Sequence, residues 1–327
     1  MIDHYLFILA GFVALFYGAE FLVKGASDIS LRFGVSPLVV GLTVVAFGTS
    51  APELLVCLEA NANGNPDQAF GTIIGSNICN IALILGVGAL IHPIVIHRQI
   101  IRREIPILFA ASAVFVLMLL DNQVHQWEGW LLFAGIVTYV VSSLRQSKDE
   151  TNPEESADFT PEEVAKAKNS SSSEIALSFL WIILGLLALK FGSSWLVENG
   201  SIVAVEFGIS QAIIGLLLLA FGTSLPELAT SIVAARKGQG DIITGNAVGS
   251  CIFNILAVIG ITSMVSSLTA TNISWLDMGV MLGILIIITP MMWSRGRLSR
   301  LEGGILLGLY LSYTVTRFLL DKGMINI

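Results

Sequence analysis

Apolar residues run along this chain in blocks of about 17 to 25 positions, separated by short polar stretches. A bilayer core of roughly 30 Å takes about 20 residues of helix to cross, and ten blocks approach or meet that length. They lie near 4–23, 37–59, 69–91, 104–120, 129–144, 175–197, 210–234, 242–264, 276–292 and 302–320, the fourth, fifth and ninth being the shortest. The pattern predicts an all-α integral membrane protein with ten transmembrane helices. The opening Met1-Ile2-Asp3-His4-Tyr5 has neither the basic region nor the small-residue cleavage site of a signal peptide, so the first block is expected to stay as a helix.

Composition agrees: 54% of residues are hydrophobic, 13% are charged and the mean hydropathy is +0.81, far from a soluble domain. Charge placement sets the expected orientation. With the N-terminus outside, fourteen of the 17 Lys and Arg residues fall on the inner side. Lys322 alone falls outside, and Lys190 and Arg317 sit within or beside helices. Positive loops stay cytoplasmic, which supports ten spans with both termini outside in the bacterial inner (plasma) membrane. The net charge of −7 therefore says little about partners. The lipid bilayer is the expected partner, and nothing calls for nucleic acid or an obligatory protein.

The polar interruptions repeat. Residues 33–86 recur at 207–260, displaced by a constant 174 without a gap, with 23 of 54 positions identical. The most similar blocks are Gly48-Thr49-Ser50-Ala51-Pro52-Glu53 against Gly222-Thr223-Ser224-Leu225-Pro226-Glu227, and Gly75-Ser76-Asn77-Ile78-Cys79-Asn80 against Gly249-Ser250-Cys251-Ile252-Phe253-Asn254. Five helices per half is odd, so the second half enters the membrane from the opposite face and the repeat is inverted. Transporters built this way carry their sites near the midplane, on discontinuous helices. The expected division is 1–144, an acidic cytoplasmic linker 145–174, and 175–327. The linker carries four basic and eight acidic residues, and Thr160-Pro161-Glu162-Glu163 reads as the start of a short helix.

The repeated blocks carry the chemistry. Pro52 and Pro226 lie deep in apolar helices, where each removes a backbone donor and frees carbonyls one turn back, near Ala46 to Gly48 and Ala220 to Gly222. Glu53 and Glu227 matter more, because an intramembrane carboxylate costs at least a few kcal/mol and faces an interior site when present. Each lies roughly 7 Å along its helix from the centre of its block, and inversion puts the two on opposite sides of the midplane. Facing helices can then bring both to one cation. Hydroxyls of Thr49, Ser50, Ser76, Thr223, Ser224 and Ser250, amides of Asn80 and Asn254, and freed carbonyls complete an all-oxygen set suited to Ca²⁺ or Na⁺. Cys57, Cys79 and Cys251 read as small apolar fillers, Gly71 and Gly75 as close helix packing, and Glu20 and Lys24 as solvated.

At these residues the chain resembles the cation/Ca²⁺ exchanger superfamily, most closely the prokaryotic Na⁺/Ca²⁺ exchangers. The resemblance covers nearly the whole chain and implies an antiporter, with no cofactor and with Ca²⁺ and Na⁺ as transported ions. It implies that Glu53 and Glu227 are central ligands shared by both ions, with Thr49 and Thr223 adding oxygens around Ca²⁺. Ser50, Ser76, Ser224 and Ser250 would line flanking Na⁺ sites, completed by carbonyls of Ala46 and Ala220. Asn80 and Asn254 would sit beside the centre. Some relatives carry Asp at the second of these, which leaves K⁺ co-transport or proton use open. A Ca²⁺/H⁺ antiporter would use the same glutamates. A cation channel would usually need a ring of subunits and would conduct without a counter-ion, and an intramembrane hydrolase lacks an embedded nucleophile pair at the repeated site.

Overall fold

The structure, a computed structural model, describes residues 2–150, 172–207, 220–270, 275–321 and 324. Among them nine helices are long and apolar enough to cross a membrane. In chain order these and one shorter helix, α7, are α1 Ile2–Phe33, α2 Pro37–Ala62, α3 Pro66–Ile91, α4 Ile100–Asp121, α5 Gln126–Arg145, α6 Ser173–Glu206, α7 Leu225–Arg236, α8 Gly240–Val265, α9 Trp275–Arg295 and α10 Arg300–Leu320. A turn of helix, Ala220–Thr223, leads into α7. The first part of the expected seventh span, and residues 151–171 of the expected linker with its Thr160 cap, lie outside the described residues; the linker's first residues continue the fifth helix, which runs Gln126–Glu150.

The apolar blocks foretold these helices, but α1 and α6 run well past their blocks, to 32 and 34 residues. At 1.5 Å per residue each is about 48–51 Å long, so they cross the membrane obliquely or project from it. They pack against each other on small residues. A Cβ at Gly18 would lie 2.9 Å from the Leu189 nitrogen, and one at Gly185 would lie 2.6 Å from the Leu22 nitrogen, so only glycine allows this approach. Faces turned away from the bundle are apolar, as at Phe12, Phe16 and Leu131. Trp127, Trp275 and Trp293 stand exposed near helix ends, where an interfacial belt is expected.

The 174-residue displacement persists in three dimensions. Gly64 and Gly238, each with φ of +73°, turn α2 into α3 and α7 into α8. Helix α5 starts with Glu128 accepting from the His125 backbone N–H at 2.8 Å, and 174 residues on α10 starts with Glu302 accepting from the Ser299 N–H at 2.7 Å.

Four two-residue strands reveal the sense of the repeat: β1 Ile94–Val95, β2 Gln123–Val124, β3 Leu268–Thr269 and β4 Arg297–Leu298. Strand β3 is the equivalent of β1, and β4 of β2. Yet β1 pairs with β4, and β2 with β3, both antiparallel. Since α4 separates β1 from β2 by a membrane crossing, the two ribbons lie at opposite ends of the bundle. Each takes one strand from each half, so equivalent loops occupy opposite faces. The two halves are therefore related by inversion.

The expected solvation of Glu20 does not hold. Its carboxylate meets Lys237 Nζ at 2.6 Å, because oblique α1 passes the corner between α7 and α8. Lys24 instead stands over the Trp181 ring, 4.8 Å from its centroid.

Candidate functional site

Helix α2 is interrupted at Ser50, and Ser224 likewise separates the turn Ala220–Thr223 from α7. Ser50 has φ −83°, ψ 2° and Ser224 has φ −89°, ψ 5°, in the sparsely occupied bridge between helix and strand where site residues often sit. The helix resumes with proline in its first turn, which lacks the N–H that the carbonyl four residues back would accept. In the second half the carbonyl freed by Pro226, that of Gly222, accepts a hydrogen bond from Ser193 Oγ at 3.2 Å. The equivalent of Ser193 in the first half is Ala19, which has no hydroxyl to offer. Ala46 O is engaged by the Ser50 N–H at 3.0 Å. Single π-turns at Gly41–Val45, Cys79–Ile84 and Asn254–Ile259 add further irregularity beside the repeated motifs.

Glu53 and Glu227 follow these breaks and are buried, 1% and 0% exposed. Ser76 Oγ donates to Glu53 Oε1 at 3.4 Å, and Ser50 Oγ donates to Glu227 Oε1 at 3.4 Å. Ser224 Oγ donates to Ser76 Oγ at 3.2 Å. Thr223 stands beside Glu53 and Thr49 beside Glu227, so each carboxylate meets the threonine of the other half. Glu53 Oε2, Glu227 Oε2 and the Thr223 hydroxyl have no hydrogen-bond partner. Two long hydroxyl contacts do not compensate two buried carboxylates at this depth, and their free oxygens require a cation or protons. The surrounding donors are all oxygen, which suits a hard cation.

A family model described as "Sodium/calcium exchanger protein" matches residues 4–145 and 177–319. The chain belongs to the sodium/calcium exchanger family. This exchanger is 35% identical to the inner membrane protein YrbG of Escherichia coli over 324 residues, covering 96% of this chain and 98% of that one. It is 30% identical to the sodium/calcium exchanger MaX1 of Methanosarcina acetivorans, with coverage of 96% and 98%. Among solved structures it is similar to the sodium-calcium exchanger NCX_Mj soaked with 2.5 mM Na⁺ and 1 mM Sr²⁺, with a TM-score of 0.82, 28% identity, and 96% and 98% of the two chains covered. It is a multi-pass membrane exchanger of the cation/Ca²⁺ class.

In this exchanger the remaining polar residues singled out in the sequence differ in what they meet. Thr49, Ser50, Ser76 and Ser224 join the carboxylate network, and Thr223 borders it. Asn80 and Ser250 are fully buried without a hydrogen-bond partner. Asn254 turns instead to Asn77, donating to its Oδ1 at 3.1 Å, while its own Oδ1 is free. Asn77 also accepts from the Cys251 thiol on its backbone oxygen at 3.7 Å, and all three cysteines are buried without a disulfide.

A cavity of about 890 Å³ runs from the α2–α3 turn, at Asn63 and Asn65, to Thr223. Gly71 and Gly75 line it, and nothing beyond their own stretch of helix comes within 4 Å of a Cβ built on either, in contrast to the close packing expected of them. Their equivalents Gly245 and Gly249 do pack closely, against α2. Its wall includes Asp277, which accepts from the Tyr313 hydroxyl at 3.0 Å and pairs with Arg317 at 3.3 Å. One polar side chain at the centre was missed by the sequence reading. Asn246 is fully buried between Thr49 and Glu227, and its neighbour in sequence space, Thr72, gave no hint because the two halves differ there.

Proposed function

We propose that this exchanger is a Na⁺/Ca²⁺ antiporter working by alternating access at a site built on Glu53 and Glu227. The observation that carries the reading is the pair of buried carboxylates, one from each half, each with a free oxygen and each bordered by the other half's threonine. One Ca²⁺ neutralises two carboxylates, and so do Na⁺ ions shared with the serine hydroxyls. A site left without cargo exposes unpaired charge to a low dielectric, which disfavours the crossing step and enforces exchange.

In this reading Thr49, Thr223, Ser50, Ser76, Ser224 and Ser250, carbonyls of Ala46 and Ala220, and Asn80 and Asn254 complete the coordination. Residues 1–144 and 175–327 act as the two halves, 145–174 is a cytoplasmic linker and both termini are outside. The cavity beside Thr223 then opens to the outside. Exchange of three Na⁺ inward for one Ca²⁺ outward moves one net charge, to which the membrane potential contributes about 2.3 kcal/mol per 100 mV.

The test is radiolabelled Ca²⁺ uptake into proteoliposomes under an outward Na⁺ gradient, beside an outward proton gradient and no gradient, with Glu53→Gln and Glu227→Gln as controls. Uptake with Na⁺ alone, lost in both variants, is the expected result. Uptake with protons alone would replace Na⁺ by H⁺ as counter-ion, and a gradient-independent leak would mean a channel.

A further inference from the structure

The two halves repeat the serines and threonines of the site, but they differ at Asn246. Asn246 on α8 is 0% exposed and touches both halves at once. Its Oδ1 lies 3.1 Å from Thr49 Oγ1, and its Nδ2 donates to the backbone oxygen of Glu227 at 3.4 Å. The amide orientation follows from chemistry. Turned over, its oxygen would face the Glu227 carbonyl, acceptor against acceptor. The Thr49 hydroxyl is therefore the donor to Asn246, in competition with the Val45 carbonyl one turn back, also at 3.1 Å.

The residue in the equivalent place is Thr72. Its hydroxyl donates at 2.8 Å to Gln68 O, within its own helix, and it lines the open cavity. Thr223, the equivalent of Thr49, has an unpartnered hydroxyl. One side of the site is thus braced across the halves and the other is not. The brace sits where α2 and α8 touch most closely, one residue beyond Gly245, whose Cβ position lies 2.6 Å from Leu38 O.

We propose that Asn246 is a positioning residue for ion binding: it fixes Thr49 against Glu227, so that the first half's threonine is pre-set by a bond across the halves that the second half's lacks. This rests on the ion site being the one described above. A fixed oxygen loses little freedom when a cation binds, so the brace lowers the ordering cost of that ligand. Asn246 itself need not touch the ion.

The experiment is Ca²⁺ binding by calorimetry on the purified full-length exchanger, with Na⁺-driven Ca²⁺ uptake in proteoliposomes. The variants are Asn246→Ala, Asn246→Thr, Thr49→Ala and the Thr49→Ala/Asn246→Ala pair. Removing one buried hydrogen bond of ordinary strength corresponds to a loss of about fivefold in Ca²⁺ affinity for Asn246→Ala, with the maximal rate within about twofold of wild type. Asn246→Thr should match it, because a threonine here turns to its own helix as Thr72 does. The double variant should bind no more weakly than Thr49→Ala alone, since the two residues act as one unit.

Unchanged affinity in both Asn246 variants would overturn the proposal, and so would strictly additive losses in the cycle. Failure of both variants to elute as folded protein would also overturn it, making Asn246 a packing residue. A wild-type protein without Na⁺-driven uptake would instead sink the functional reading, which the binding cycle does not depend on.

Discussion

Replacing Gly245 by alanine tests how tightly the α2–α8 contact sets the site. The new Cβ would meet Leu38 O at 2.6 Å, Leu42 N at 2.9 Å and Gly41 Cα at 3.0 Å. All three are backbone atoms, so no side chain can swing away. Restoring an ordinary contact of about 3.4 Å to Leu38 O requires the helices to part locally by about 0.8 Å. Added to the 3.1 Å separation of Thr49 Oγ1 and Asn246 Oδ1, that shift carries the pair to about 3.9 Å, beyond hydrogen-bond reach. Overpacking of this kind costs about 1–3 kcal/mol, and the lost hydrogen bond adds about 1 kcal/mol. Gly308→Ala is the control, since nothing lies within 4 Å of its Cβ position and α10 is exposed there. In detergent, thermal unfolding of Gly245→Ala should fall by several degrees and its Ca²⁺ affinity should weaken, while Gly308→Ala should match or slightly exceed wild type. A Gly245→Ala protein with wild-type melting and affinity would refute the claim that close backbone contact holds the brace.

Three further outcomes follow from other contacts. Ser193→Ala leaves the Gly222 carbonyl without its hydroxyl donor and should lower unfolding stability by about 1–3 kcal/mol; a change under a few tenths would show that the carbonyl finds water or another donor. Glu20→Gln and Lys237→Gln each break a pair that is about one-third exposed on both sides, so each should cost at most about 1 kcal/mol at low salt and nothing measurable in 0.5 M salt; a loss that persists at high salt would contradict a screened ion pair. Val95→Cys and Gln123→Cys, made singly, should react with an impermeant thiol reagent from opposite faces of the membrane, and Val95→Cys/Arg297→Cys should cross-link under oxidation, because those residues are paired in the ribbon. Labelling of both single variants from one face would refute the inversion, and the three buried native cysteines keep the background low.

Much of this architecture is legible in the sequence for a physical reason: a bilayer demands long apolar runs, so the crossings announce themselves, and the cost of an intramembrane carboxylate singles out Glu53 and Glu227. The hydroxyls Ser50, Ser76 and Ser224 followed from the same repeat, and the structure joins them to the carboxylates. Other features leave no such mark. Two-residue strands are too short to show a period, so the ribbons were invisible. The length of α1 and α6 depends on obliquity rather than on hydropathy, and the partner of Glu20 lies 217 positions away at Lys237. Asn246 escaped because a search for matched positions discards the places where Asn stands opposite Thr, and the inequality of the halves resides in such places. The hydrogen bond from Asn254 Nδ2 to Asn77 leaves no mark in the sequence either, since it is set by how α3 and α8 cross.

The ribbons also bear on how such a chain can be inherited and assembled. Each ribbon joins a strand of one half to a strand of the other, at both ends of the bundle, and each carboxylate is bordered by the opposite half's threonine. Neither half is a complete protein in the sense that matters to a gene. Encoded on two separate reading frames, the halves would each insert with its own polarity, recognise the other through four strand edges and the α1–α6 contact, and acquire a finished pocket only as a pair.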